Sequence, residues 1–195
     1  MAALSEQLFI YSEQKLSTML KILALSLSLL GGSALADVQS CKKLFDLAPK
    51  VLSDLKQVGS HEYENENPGL GYSVTFADPS SKLTVFFYDH QEKTISSEMA
   101  LDSFKQAARD IAAVAEKRGA ELGEISAYQL RDTSQALPLR AEADSTDGIS
   151  ELLALGVVDD CIVKLRLTAQ IPLDKARVWM KVITDYLNKG FRQPT

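Results

Sequence analysis

The chain has 195 residues, 46% of them hydrophobic and 24% charged, with a net charge of −5. Such a chain suits one domain that buries about 70% of its unfolded surface. Mild acidity without any run of Lys or Arg excludes nucleic acid and an anionic membrane surface as natural partners, since both call for clustered positive charge.

Residues 19–36 come first in the argument because they set the address. Met19-Leu20-Lys21 is a short basic start, and Ile22 to Leu30 is apolar but for Ser26 and Ser28. Gly31-Gly32-Ser33 follows, and Ala34-Leu35-Ala36 places small residues where a signal peptidase reads them. That order predicts a secretory signal peptide cleaved after Ala36. The apolar run is shorter than the about 20 residues a membrane anchor needs. A lipoprotein would need cysteine where Asp37 stands. A buried core helix fits poorly with Gly31-Gly32 ahead of Ala-x-Ala. Translation begins at Met19, or residues 1–18 form an extended leader; either way residues 1–36 stay outside the fold. The remaining residues, 37–195, are expected to form a single globular domain, periplasmic or secreted, with no stable membrane span after signal cleavage.

In chain order, Val38 to Leu47 reads as a helix with Cys41, Leu44 and Phe45 on one face. Pro49 interrupts it or starts a second helical turn through Val51, Leu52 and Leu55. Gly59 to Asn67 is polar and suits an edge strand. Leu70, Tyr72, Val74 and Phe76 alternate with small or polar residues, the period of a half-buried strand. Asp78-Pro79-Ser80-Ser81 turns the chain into a second strand, Leu83 to Asp89, apolar on both sides and therefore central. Ser96 or Ser97 caps a long helix closed by Lys117-Arg118-Gly119. Strands are expected over Gly123–Arg131, Leu137–Asp144, Ser150–Val158 and, after a tight turn at Asp159-Asp160, Cys161–Ala169. Pro172 opens a last helix with Ala176, Trp179, Met180, Ile183 and Leu187 inward, ended by Gly190. The order predicts an α+β domain, an antiparallel sheet of about five to seven strands flanked by helices.

Cys41 and Cys161 are the two cysteines of the chain, and both sit on inward-facing stripes. An exported protein favours pairing them; the long loop closed would contribute roughly 4–5 kcal/mol in the chain-entropy account. Two separate buried thiols are the alternative. With no Cys-x-x-Cys, a redox-active role has no support.

Gly69-Leu70-Gly71-Tyr72-Ser73-Val74 followed by Val85-Phe86-Phe87-Tyr88-Asp89, with Ile162-Val163-Lys164-Leu165-Arg166-Leu167-Thr168 before a terminal helix, resembles small secreted bacterial proteins of unassigned function. The arrangement also resembles the fold shared by the photosystem II extrinsic protein PsbP and the nuclear transport factor Mog1. The resemblance implies an antiparallel sheet between helices, used for binding or assembly. It covers most of residues 58–190 and brings no catalytic residues with it.

Candidate chemistry is sparse. His61 shares a strand face with Tyr63 and Asn65, while Glu62, Glu64 and Glu66 share the other, so imidazole and carboxylates diverge and a solvated edge strand is the better account than a metal site. Asp144-Ser145-Thr146-Asp147-Gly148 begins like a calcium loop but lacks the later ligands, which leaves a turn. Asp89 and His90 stand at a strand end and are the candidates for hydrolase chemistry, though no Gly-x-Ser-x-Gly elbow accompanies them. Arg140, Glu142 and Asp144 alternate on one strand, and Lys164, Arg166 and Thr168 on another. Were those strands neighbours, their opposite charges would pair. Alternatively, Lys164 and Arg166, with Arg140 and Glu142, line a polar floor that holds an anionic ligand or acidic partner. No cofactor motif appears. The sequence therefore predicts a non-enzymatic envelope binding or accessory protein whose partner is an envelope protein or small ligand, with a small periplasmic hydrolase as the alternative.

Overall fold

The structure, a computed structural model, describes residues 38–131 and 135–191. The chain divides into two units, Met1–Ala36 and Asp37–Thr195. The expected signal peptide, its cleavage after Ala36 and the choice between Met1 and Met19 lie outside the described residues.

Helix α1 (Val38–Asp46) leads into β1 (Val51–Leu52), β2 (Leu55–Glu62) and a 3-10 turn at Tyr63–Asn65. The hairpin β3 (Tyr72–Ala77) and β4 (Ser81–Tyr88) precedes the long α2 (Ser97–Lys117). Then come β5 (Ser126–Gln129), β6 (Leu139–Asp144), β7 (Ser150–Val158), β8 (Cys161–Ala169) and α3 (Leu173–Phe191). The strands form one sheet in the order β1-β2-β3-β4-β8-β7-β6-β5, antiparallel at every pairing.

Period-two alternation decides the layers. One face carries Phe76, Leu83, Val85, Phe87, Leu165, Leu167 and Leu152, packed under α1 and α3. The other carries Leu153, Leu155, Ile162 and Ala141, packed under α2 through Phe104, Ala107 and Ile111. The result is an α/β/α sandwich. Ser96 caps α2 by accepting a hydrogen bond from the Met99 amide at 3.2 Å, which satisfies one of the amides a helix start leaves unpaired.

Cys41 on α1 and Cys161 at the head of β8 are joined in a disulfide, with Cα atoms 5.2 Å apart and 120 positions between them in sequence. The bond ties the first helix to the middle of the sheet. Phe45 supports the same junction by stacking on Tyr72 with ring centres 5.1 Å apart.

Four expectations need correction. The edge strand expected over Gly59–Asn67 runs instead over Leu55–Glu62, and Tyr63–Asn65 form a 3-10 turn, so they share no strand face with His61. The sheet has eight strands among the described residues, above the five to seven expected. The surplus arises at Val51–Leu55, which is a tight hairpin rather than a helical turn. Leu52 and Leu55 face each other across a two-residue turn in which Ser53 has φ 57°. Residues flanking such a turn share a face, so an i, i+3 apolar pair looks the same as one turn of helix. Lastly, Gly190 lies within α3, which runs on to Phe191. The hairpin at 69–89, the Asp159-Asp160 turn and the positions of α2 and α3 follow the sequence reading.

Gly71 shows why the Gly-Leu-Gly stretch is needed. Its φ is +65°, and a Cβ there would stand 1.9 Å from the Phe87 carbonyl oxygen. Only glycine lets the start of β3 come that close to β4.

Candidate functional site

Strand register places the candidate residues in two sets. Arg140 pairs with Ala154 and Glu142 with Leu152, and those partners sit opposite Leu165 and Leu167. Arg140 and Glu142 thus project on the side of α3. Lys164 and Arg166 pair with Leu155 and Leu153 and project on the side of α2. Strand β7 separates β6 from β8, so the expected charge pairing between these two strands does not form, and no single floor contains all four residues.

On the α2 side, Arg166 is committed to structure. Glu151 of β7 is fully buried and receives Arg118 Nη1 at 2.8 Å, Thr168 Oγ1 at 2.8 Å and Arg166 Nη2 at 3.4 Å. Arg118 caps the end of α2 and also reaches Asp147 at 3.0 Å. The Asp144–Gly148 segment is a turn, and hydrogen bonds from Ser145 and then Arg118 hold the Asp147 carboxyl below its usual pKa.

Lys164 stands apart from that network. Its ammonium lies 4.4 Å from the centre of the Phe86 ring and 5.3 Å from that of Tyr88. Among the described residues it has no ion pair within 4.0 Å. Burial pulls its pKa down, Asp110 opposes that shift, and Arg166 adds to it. Lys164 floors a pocket of about 490 Å³ walled by Leu70, Phe86, Tyr88, His90 and Gln106. Burial also pushes the Tyr88 phenol up to about 12, against a hydrogen bond from Ser103 that lowers it.

The strand-end pair Asp89 and His90 does not form a dyad. Asp89 is buried and accepts a hydrogen bond from the Gln91 amide at 2.9 Å, which steadies a loop where His90 and Gln91 have φ of 57° and 64°. His90 turns instead to α2, with Nε2 3.0 Å from Ser103 Oγ. His61 lies against Tyr63, ring centres 4.1 Å apart. Glu64 accepts hydrogen bonds from the Gly69 and Gly71 amides at 3.0 Å, and no group of three or more metal-ligating side chains occurs among the described residues.

On the α3 side, a pocket of about 470 Å³ opens between β5, β6 and α3. Arg140 lies at its floor with 7% of its surface exposed, and its Nη1 has no hydrogen-bond partner among the described residues. Burial pulls its pKa down. The carboxylates nearby are engaged: Glu142 is gripped by Arg177 through Nη2 at 2.6 Å and Nε at 2.9 Å, and Asp185 holds Lys181 at 2.6 Å. Tyr128 Oη is 3.5 Å from Glu142.

Sequence reasoning missed Glu151, Arg118 and Arg177. Glu151 heads a run of apolar residues on β7, and an acid so placed was the one local sign of a buried ion network. Arg177 lies one helical turn before the inward Met180, which left nothing to mark its reach to Glu142.

The fold and these floors define a small α+β sandwich whose antiparallel sheet presents one cation to a pocket on each face. No protein-family model matches the sequence, and no curated protein matches it. Among solved structures the chain is similar to the cyanobacterial PsbP (CyanoP) from Synechocystis sp. PCC 6803, seen in solution. Identity is 16%, over 65% of this chain and 78% of that chain, with a TM-score of 0.42. The likeness lies in the fold.

Proposed function

We propose that this chain is an exported, non-enzymatic binding or accessory module of the cell envelope, acting in the periplasm or outside the cell. The Cys41–Cys161 bond is the observation that carries the reading, because structural disulfides persist in oxidising compartments. The sequence of residues 19–36 supports the same address. Binding is supported by the two pockets, which Lys164 and Arg140 line with no ion pair within 4.0 Å to either cation among the described residues. An envelope protein or a small ligand with a negative group fits such floors.

The hydrolase alternative retains one favourable observation, the hydrogen bond between His90 and Ser103. Nucleophilic catalysis also needs a group that orients the base and donors that stabilise an oxyanion. No partner for the other His90 ring nitrogen is found among the described residues, and Asp89 is held by the loop.

Fractionation of cells making the native protein tests the proposal. The expected product is periplasmic or secreted, begins at Asp37 and carries no alkylatable thiol. A cytosolic chain that retains residues 19–36 with two reactive thiols would overturn it. Turnover of generic ester, phosphate or glycoside substrates that is lost on His90→Gln would instead favour the hydrolase.

A further inference from the structure

The α3-side pocket has a floor that the free protein leaves electrostatically incomplete. Arginine cannot shed its proton to escape a dry environment, so a buried guanidinium requires oxygen acceptors. Nη1 of Arg140 has none among the described residues. The two acids that line the same pocket are paired with Arg177 and Lys181, and neither accepts a hydrogen bond from this nitrogen. What the floor lacks is an oxyanion acceptor, and carboxylate and phosphate oxygens are the partners that a guanidinium fork matches in charge and geometry.

The walls add a second requirement. Leu130, Leu152 and Met180 line the pocket beside the polar groups. A volume of about 470 Å³ lies within the range of small-molecule sites and is larger than an inorganic ion fills. A ligand that fits would carry a charged end for Arg140 and an apolar body for Leu152 and Met180, with Tyr128 also lining the pocket.

We propose that the pocket between β5, β6 and α3 binds a small organic oxyanion, a carboxylate or phosphate monoester, through the unpartnered Arg140 guanidinium. The proposal deepens the binding reading given above, but it concerns purified protein and stands or falls independently of where the cell places the chain. Carboxylate and phosphate share the chemistry, and the probes tell them apart.

Calorimetric titration of the full domain with benzoate, phenyl phosphate and inorganic phosphate, into the millimolar range, provides the test. Saturable binding of at least one aromatic probe is expected, tighter than that of inorganic phosphate. Arg140→Lys keeps the charge but loses the fork, and should weaken the preferred probe by about tenfold or more. Arg140→Met should abolish binding while raising the thermal midpoint of the ligand-free protein, because it removes a buried charge without a partner. Lys164→Met, on the opposite face, should bind as the native protein does. Failure of all three probes to saturate, or an unchanged affinity in Arg140→Lys, would overturn the proposal. So would an Arg140→Met protein that is less stable than the native one and still binds, since that is the signature of a purely structural arginine.

Discussion

Arg140 and Lys164 are offset by one residue in strand register, with β7 between them, and leave the sheet in opposite directions. Each is a cation partly or wholly withdrawn from water, yet their surroundings differ. Lys164 lies over aromatic rings, which attract a cation through their quadrupole, whereas Arg140 has a buried nitrogen without a hydrogen-bond partner among the described residues.

For Lys164 the expected consequence is a stability that rises with pH. Burial disfavours the ammonium, so the folded chain releases this proton at a lower pH than the unfolded chain. Between those two points the unfolded state binds more protons, and stability increases as pH rises. Lys164→Met should therefore be more stable than the native protein at neutral pH, by about 1 kcal/mol after the loss of the ring contacts. The gain should shrink towards the ordinary lysine pKa. Urea midpoints measured across that range check both sign and trend.

Glu151 offers a sharper loss. Three donors from the end of α2 and from β8 converge on this buried carboxylate, so Glu151→Gln leaves Arg166 without its counter-charge and Arg118 with Asp147 alone. Breaking a fully buried pair costs about 3–5 kcal/mol; here the arginines keep some solvent access, which brings the expected cost to about 2–3 kcal/mol. Chemical denaturation of the variant measures it, and a change within about 0.5 kcal/mol would show the network to be inert.

Replacing Cys41 and Cys161 by serine should lower stability by up to about 4–5 kcal/mol, through the freedom restored to a long loop in the unfolded chain. The native protein should lose a comparable amount on reduction under denaturing equilibrium. Equal urea midpoints with and without reductant would contradict the expectation.

Tyr88 should dominate the alkaline limb. Its folded pKa is raised to about 12 from 10.0, so its contribution is intact below pH 10 and is lost as pH climbs through about 12. Two units correspond to about 2.7 kcal/mol. The ultraviolet titration difference between native protein and Tyr88→Phe should show one phenol ionising near the upper value.

How much of this was legible in the sequence depended on the range of the interaction. The hairpin at Tyr72–Tyr88 was legible because alternation and a Pro-Ser turn are local. The disulfide was legible as a pairing of two inward-facing cysteines, with separate buried thiols still open. The Val51–Leu55 hairpin was not, since a two-residue turn and a helical turn place apolar residues at the same spacing. The faces of the candidate residues were half legible. The Asp159-Asp160 turn fixes Lys164 opposite Leu155, but the looser connection at Ser145–Ile149 conceals which side Arg140 takes. Nothing local announces that β8 lies between β4 and β7, and that adjacency places Lys164 beside Phe86.

The same adjacency has a consequence for biosynthesis. β8 is the strand made last, yet it is the one that bridges β4 and β7. Without β8 the strands fall into two sets, β1–β4 and β5–β7, each with an open inner rim able to accept a foreign strand. Closure then joins segments far apart along the polypeptide, an entropically slow step. A nascent or truncated form that stops short of β8 should therefore depend on chaperones to a degree the finished molecule does not.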